Sequence, residues 1–343
     1  MSLFFVLSGF VITYNYADYQ WRAEPFSSLW RFVYLRVSRL YPALLLFFVM
    51  ILYRLPDADP RAWEVTALHL FSSQSWFPFV YKGSILAGSR FNIAWSISTE
   101  IMMYLMFAVA MITIARWPRL AFIAVSAVLA GIMSFWLDQR WIVSLIASTA
   151  LIEPMTEGQA VSWFFYISPW FRILDFAAGA MAAYIVMSGC LSRLPLWMVS
   201  LPATTAMIFI IAFHVWRVLG EHGVYFVTVQ LISTVAFFFV VLGSTQRSVL
   251  NWLLSVRALT FVGLVSYSLY LFHGLAPYFL GFHQTGSKQF SASSVLEAVG
   301  NMAVAVPVAV LIAAVAFFLV ERPGQLAMRW LIAKSPTRLQ TAS

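Results

Sequence analysis

Charge is scarce in this sequence: Asp, Glu, Lys and Arg make up 10% of its 343 residues, against about 25% in an average soluble domain. Apolar residues make up 62%, more than a water-soluble core of this size can hide, so the surrounding solvent is lipid. Cysteine is nearly absent. The single Cys190 excludes a disulfide framework and any cysteine-based metal site. No two of the five histidines have metal-ligand spacing, so no metal is expected. There is no GxSxG, Walker or GxGxxG motif, and no internal repeat of the kind that builds many transporters. The opening residues lack a basic n-region and an Ala-x-Ala-like cleavage site, and are not read as a signal peptide. The net charge of +8 does not point to nucleic acid, because the basic residues are scattered between apolar runs. Retention of cytoplasmic loops explains them better.

Long apolar runs are what remains. Stretches suited to about 30 Å of hydrocarbon fall near residues 3–17, 40–55, 93–114, 119–137, 170–188, 196–216, 224–243, 258–281 and 296–319. Residues 141–152 are apolar but short, which suits a re-entrant or interfacial helix. The fold class expected is therefore all-α, a polytopic transmembrane helix bundle with nine spans. With the N-terminus outside, thirteen of the 21 Lys and Arg residues fall on inside segments and eight outside, so the positive-inside rule favours a cytoplasmic C-terminus. Nine spans starting outside suggest one further helix ahead of residue 1, for ten in all.

Ionisable and polar residues within apolar runs are functional candidates, since insertion scales assign a buried charge about 2.5–3.5 kcal/mol. Glu100, in FNIAWSISTEIMMYLMF, shares a helix face with Ser96, Met103 and Tyr104. It either forms a structural ion pair with an arginine across the bundle or serves chemistry. In VSYSLYLFHG, Ser266, Tyr270 and His273 lie on one helical stripe. The stripe is either a polar wall carrying a titratable imidazole or a core histidine satisfied by tyrosine. Arg36 and Arg39, in RFVYLRVSRLYP, form a guanidinium pair at i, i+3. Such a pair suits phosphate, although spacing alone favours ordinary flanking of a span. Arg172 and Asp175 are also an i, i+3 pair. The small residues after them read as a site of close helix packing.

Taken in order, LFFVLSGFVI, LRVSRLYP, WSISTE, RILDFAAGA, SYSLYLFH and ERP resemble the acyltransferase family 3 integral membrane proteins, the OafA-like O-acetyltransferases. The resemblance spans residues 1 to 323. It implies about ten helices with both ends cytoplasmic. It also implies transfer of an acyl group, usually acetyl, from cytoplasmic acyl-CoA to a hydroxyl of a sugar, polysaccharide or glycolipid acceptor. By resemblance, Arg36 and Arg39 hold the CoA phosphates and Glu100 is the family's buried acid. Ser266, Tyr267, Ser268, Tyr270 and His273 match the segment that lines the acyl-CoA path, and Tyr270 and His273 are expected to take part in catalysis with Glu100. The family's first helix carries an arginine followed eleven positions later by a histidine, and no Arg or Lys here stands in that relation to a His. The expectation is that this helix is encoded upstream.

Residues 1–323 are expected to form the membrane-embedded domain, with 324–343 a cytoplasmic tail, in a bacterial-type inner membrane. The partners implied are acyl-CoA, a carbohydrate or lipid-linked acceptor and the bilayer. Competing expectations are an inactive or truncated member, or a polytopic glycolipid flippase. Aromatics in the loops at 56–92 and 139–169, among them Trp63, Trp76, Trp163 and Tyr166, serve either to stack on sugar faces or to anchor at the membrane interface.

Overall fold

Buried positions recurring every three or four residues explain the longest helix. Ser28, Phe32, Arg36, Leu40, Ala43, Leu44 and Phe47 are all buried, a helical stripe that runs unbroken through the basic segment. The computed structural model describes residues 1–52, 62–88, 93–120, 123, 140–193, 195–219, 226–246, 248–280 and 295–333. It divides into two compact units, Met1–Val33 with Pro60–Val256, and Tyr34–Asp59 with Arg257–Ser343.

The first unit contains α1 (Ser2–Tyr16), the opening turns of α2 (Pro25–Leu52), α3 (Ala62–Leu70) and a hairpin of β1 (Val80–Tyr81) and β2 (Ser84–Ile85). It continues with α4 (Trp95–Arg116), α5 (Arg140–Ser148), α6 (Glu157–Ser162), α7 (Pro169–Met187), α8 (Leu196–Leu219), α9 (Phe226–Ser244) and α10 (Val249–Leu254). α1 and α7 cross at glycines. A Cβ at Gly9 would lie 2.0 Å from the Phe176 carbonyl oxygen, and one at Gly179 would lie 1.8 Å from that of Val6. The small residues after Asp175 therefore do admit a neighbour, and that neighbour is α1. Val6, Ala182, Leu191, Val199, Val241 and Leu242 form the core around this crossing.

The hairpin turns through Lys82 at φ 50° and Gly83 at φ 69°, the two left-handed residues that a tight two-residue connection requires. Glu153 binds the backbone N–H groups of Lys82 and Gly83 at 3.0 and 2.9 Å. A π-helical turn, Trp163–Ile167, joins α6 to α7. α7 then starts at Pro169, with the Ser168 hydroxyl accepting from the Trp170 N–H at 3.1 Å.

The second unit contains the rest of α2 with α11 (Arg257–Leu264), α12 (Ser266–Phe272), α13 (Leu275–Phe279), α14 (Val295–Ala316) and α15 (Arg322–Ala333). A second π turn, Phe317–Glu321, links α14 to α15. Val265, Ala313 and Phe317 form a small core, and Phe47 meets Phe272 edge to face at 6.2 Å.

Several expectations change. The helix expected at 40–55 begins further upstream, since α2 starts at Pro25 and runs through Arg31, Arg36 and Arg39. Its arginines lower the mean hydropathy without interrupting helical periodicity. At 1.5 Å per residue α2 is about 42 Å long, longer than a hydrocarbon layer of about 30 Å. The run at 258–281 forms three consecutive helices, α11, α12 and α13, interrupted at Val265 and at His273–Gly274. The run at 119–137 lies almost wholly outside the described residues. Among the described residues, four stretches are long and apolar enough to cross a bilayer: Pro25–Met50, Trp95–Arg116, Glu157–Met187 and Gly300–Leu331. Ser2–Tyr16, Trp197–Phe213 and Gln230–Ser244 are apolar but shorter. A count of nine full spans is thus not reproduced.

Gly179→Val places side-chain atoms where the Val6 carbonyl sits. It is expected to lower stability by about 1–3 kcal/mol or to prevent folding. Gly158→Ala, which meets open space, should leave the thermal midpoint of the detergent-purified protein unchanged.

Candidate active site

α12 turns two faces in different directions. Tyr267, Ser268, Leu271 and Phe272 are buried, whereas Ser266 and His273 are exposed and Tyr270 is partly buried. The predicted stripe of Ser266, Tyr270 and His273 thus occupies the exposed face, because the aromatic and leucine side chains claim the buried one. His273 caps the C-terminus of α12, where its Nδ1 lies 2.8 Å from the Tyr270 carbonyl oxygen. A carbonyl only accepts, so Nδ1 carries the proton in this bond, and in the neutral ring the lone pair is then on Nε2.

The buried face of α12 is tied to the rest of the second unit. The Tyr267 hydroxyl donates to the Leu40 carbonyl at 2.7 Å, and the Ser268 hydroxyl donates to Glu321 Oε2 at 2.6 Å. Gln325 donates to Glu321 Oε1 at 3.2 Å. Arg36 is buried and Arg39, one turn on, is exposed. Arg39 lies within electrostatic range of the Glu321 carboxylate.

Glu100 belongs to the first unit and is 4% exposed. Its Oε1 accepts from the Ser8 hydroxyl at 2.8 Å and from the Tyr104 hydroxyl one turn along α4. The start of α4 is pinned by neighbouring hydroxyls. Ser75 donates to Ser98 Oγ at 2.7 Å, Thr99 to the Ile167 carbonyl at 2.7 Å, and the Trp76 indole to the Ser98 carbonyl at 2.9 Å.

A second polar network crosses the same unit. Asp175, 1% exposed, forms an ion pair with Arg172 at 3.2 Å. It also accepts hydrogen bonds from Gln230 and Thr234 on α9. Arg172 donates to the Tyr166 carbonyl at 2.8 Å and to the Ser2 hydroxyl at 3.3 Å, and its guanidinium lies 5.0 Å from the Tyr166 ring centroid. The i, i+3 pair is therefore the hub of a three-helix network as well as a packing element. Gln230, Thr234 and Glu321 were not among the candidates read from the sequence, and Ser8 entered only within LFFVLSGFVI. Gln230 and Thr234 carry a local signal, two polar residues at i, i+4 in an apolar helix. Glu321 ends an apolar run and entered only as part of ERP.

Long apolar helices with charges buried in paired networks define an integral membrane protein of the all-helical class. A family model described as "Acyltransferase domain" matches residues 1–320. The chain belongs to this acyltransferase family, family 3, the one its motifs resemble. A protein of Streptomyces mycarofaciens named "Acyltransferase MdmB" is 30% identical over 200 residues, which cover 55% of this chain and 46% of that relative. The chain spans about half the length of the curated relative it matches. No solved structure matches the chain.

Asp175→Ala leaves the Arg172 guanidinium buried without its carboxylate and is expected to cost about 3–5 kcal/mol. The double change Arg172→Met with Asp175→Leu should cost less, because no isolated charge remains. Thermal midpoints of the three proteins in detergent measure the difference; a double variant less stable than Asp175→Ala would contradict it.

Proposed function

We propose that this family member is a membrane-bound O-acyltransferase. It moves an acyl group, acetyl in the simplest case, from acyl-CoA to a hydroxyl of a sugar, polysaccharide or lipid-linked acceptor. The observation that carries the proposal is the family match over residues 1–320, within which Arg36, Arg39, Glu100 and all the named α12 residues fall. The placement in a bacterial-type inner membrane, with a cytoplasmic C-terminus, rests on the distribution of basic residues.

In this proposal Arg36 and Arg39 bind the CoA phosphates through their guanidinium forks. The acceptor oxygen attacks the thioester carbonyl carbon while His273 Nε2 takes its proton, a role typically contributing 10²–10⁴-fold. The tetrahedral oxyanion accepts a hydrogen bond from the Tyr270 hydroxyl. Its collapse breaks the C–S bond, and the CoA thiolate leaves and recovers the proton from His273. What supports this assignment is the exposure of His273 on α12 and the tautomer set by the Tyr270 carbonyl. Glu100 enters as the buried acid of the family segment. Ser8 and Tyr104 hold it in place within the first unit. Ser266, Tyr267 and Ser268 enter as the acyl-CoA path, with Tyr267 and Ser268 anchoring α12.

Membranes carrying the protein, given acetyl-CoA labelled in the acetyl group, are expected to place label in a polysaccharide or lipid-linked sugar. His273→Ala should lower that rate by about 10²–10⁴-fold. Label that stays on CoA, with an acceptor fraction present, would contradict transferase activity. Replacing Arg36 and Arg39 together by alanine should raise the apparent KM for acetyl-CoA; an unchanged dependence on acetyl-CoA removes both from its binding site.

A further inference from the structure

An exposed guanidinium on a flexible stem samples many directions, and ordering it costs entropy. Arg39 is such a group, and the Glu321 carboxylate lies within electrostatic range of it. Glu321 is 3% exposed and held from two sides, by the fully buried Ser268 hydroxyl at 2.6 Å and by Gln325 at 3.2 Å. Gln325 also reaches the Arg39 carbonyl at 3.5 Å. The surrounding backbone is closely packed. A Cβ at Gly324 would lie 2.5 Å from Pro42 Cβ, and the Tyr34 hydroxyl donates to the Met328 carbonyl at 2.6 Å. α15 thus packs along α2 between Tyr34 and Pro42, and Glu321, at the end of the π turn, immediately precedes it. Single π turns within helices recur at functional sites.

We infer that Glu321 is a positioning residue that directs the Arg39 guanidinium toward the phosphate groups of acyl-CoA. This rests on the proposal above that Arg36 and Arg39 bind CoA. The carboxylate does not touch the ligand. It narrows the directions open to Arg39, so less rotamer freedom is lost when phosphate binds. Glutamine at this position keeps the hydrogen bond from Ser268 and nearly the same shape, but loses the charge that aligns Arg39.

Equilibrium binding of labelled acetyl-CoA to the full chain in detergent tests this. Thermal midpoints of every variant are recorded alongside. Glu321→Gln is expected to weaken binding about fivefold, the upper range for one partly exposed charge pair. In the Arg39→Ala background the same change should add nothing, because the guanidinium on which it acts is gone. Glu321→Asp should recover part of the affinity. If Glu321→Gln gives too little folded protein, Gln325→Leu, which frees one side of the carboxylate, should weaken binding in the same direction. Wild-type affinity in Glu321→Gln, with Arg39→Ala weakened, overturns the positioning role and leaves the CoA site standing. A loss from Glu321→Gln that persists undiminished in the Arg39→Ala background overturns it as well. Wild-type affinity in Arg39→Ala removes the CoA assignment, and the positioning role with it.

Discussion

Hydrocarbon cannot solvate a carboxylate, and three buried acids among the described residues each accept a hydrogen bond from another helix. Glu100 on α4 receives the hydroxyl of Ser8 on α1, Asp175 on α7 that of Thr234 on α9, and Glu321 beside α15 that of Ser268 on α12. All three acids are 4% exposed or less. In each case a serine or threonine supplies a donor without adding charge, and the short side chain requires the two helices to lie close together. Interhelical polar contacts of this kind act as glue in membrane bundles, typically worth about 0.6–2 kcal/mol each.

Close approach is therefore the second requirement, and glycine meets it. The crossing of α1 and α7 at Gly9 and Gly179 brings Ser2 beside Arg172, while the same α1 carries Ser8 to Glu100. Irregular backbone contributes the rest. The π turn at Trp163–Ile167 leaves the Tyr166 and Ile167 carbonyls to accept from Arg172 and Thr99. The corresponding turn at Phe317–Glu321 ends on the acid that accepts from Ser268. Packing, backbone irregularity and buried charge thus form one arrangement, because a polar group at membrane depth tolerates none of them being out of register.

This arrangement suits the transfer from acyl-CoA proposed above for this acyltransferase family member. Three arginines, Arg31, Arg36 and Arg39, lie in the N-terminal part of the long helix α2. The imidazole stands at a helix end, exposed, with its tautomer set by a backbone carbonyl. A rigid scaffold that holds a few reactive side chains on its exposed faces is what acyl transfer asks of a protein, since most of the barrier reduction comes from orientation and from donors placed in advance.

Composition alone determined the class: so little charge and so much apolar surface admit only a helical membrane protein. Local periodicity then located what lies within one helix, such as Tyr104 one turn from Glu100 and the small residues after Asp175 that admit a neighbour. Contacts between helices were not legible. Ser8 stands 92 positions from Glu100 and Ser268 stands 53 from Glu321, and no spacing rule relates residues on separate helices. Periodicity also could not say which side of α12 faces inward, since Ser266, Tyr270 and His273 make as regular a stripe as Tyr267, Ser268, Leu271 and Phe272. Packing decided that, because the second set offers more apolar area to bury. The reach of α2 back to Pro25 was hidden by its arginines, whose charge lowers hydropathy but leaves helix formation intact. The sequence therefore determined what kind of surface each helix carries, and the tertiary structure decided which surfaces meet.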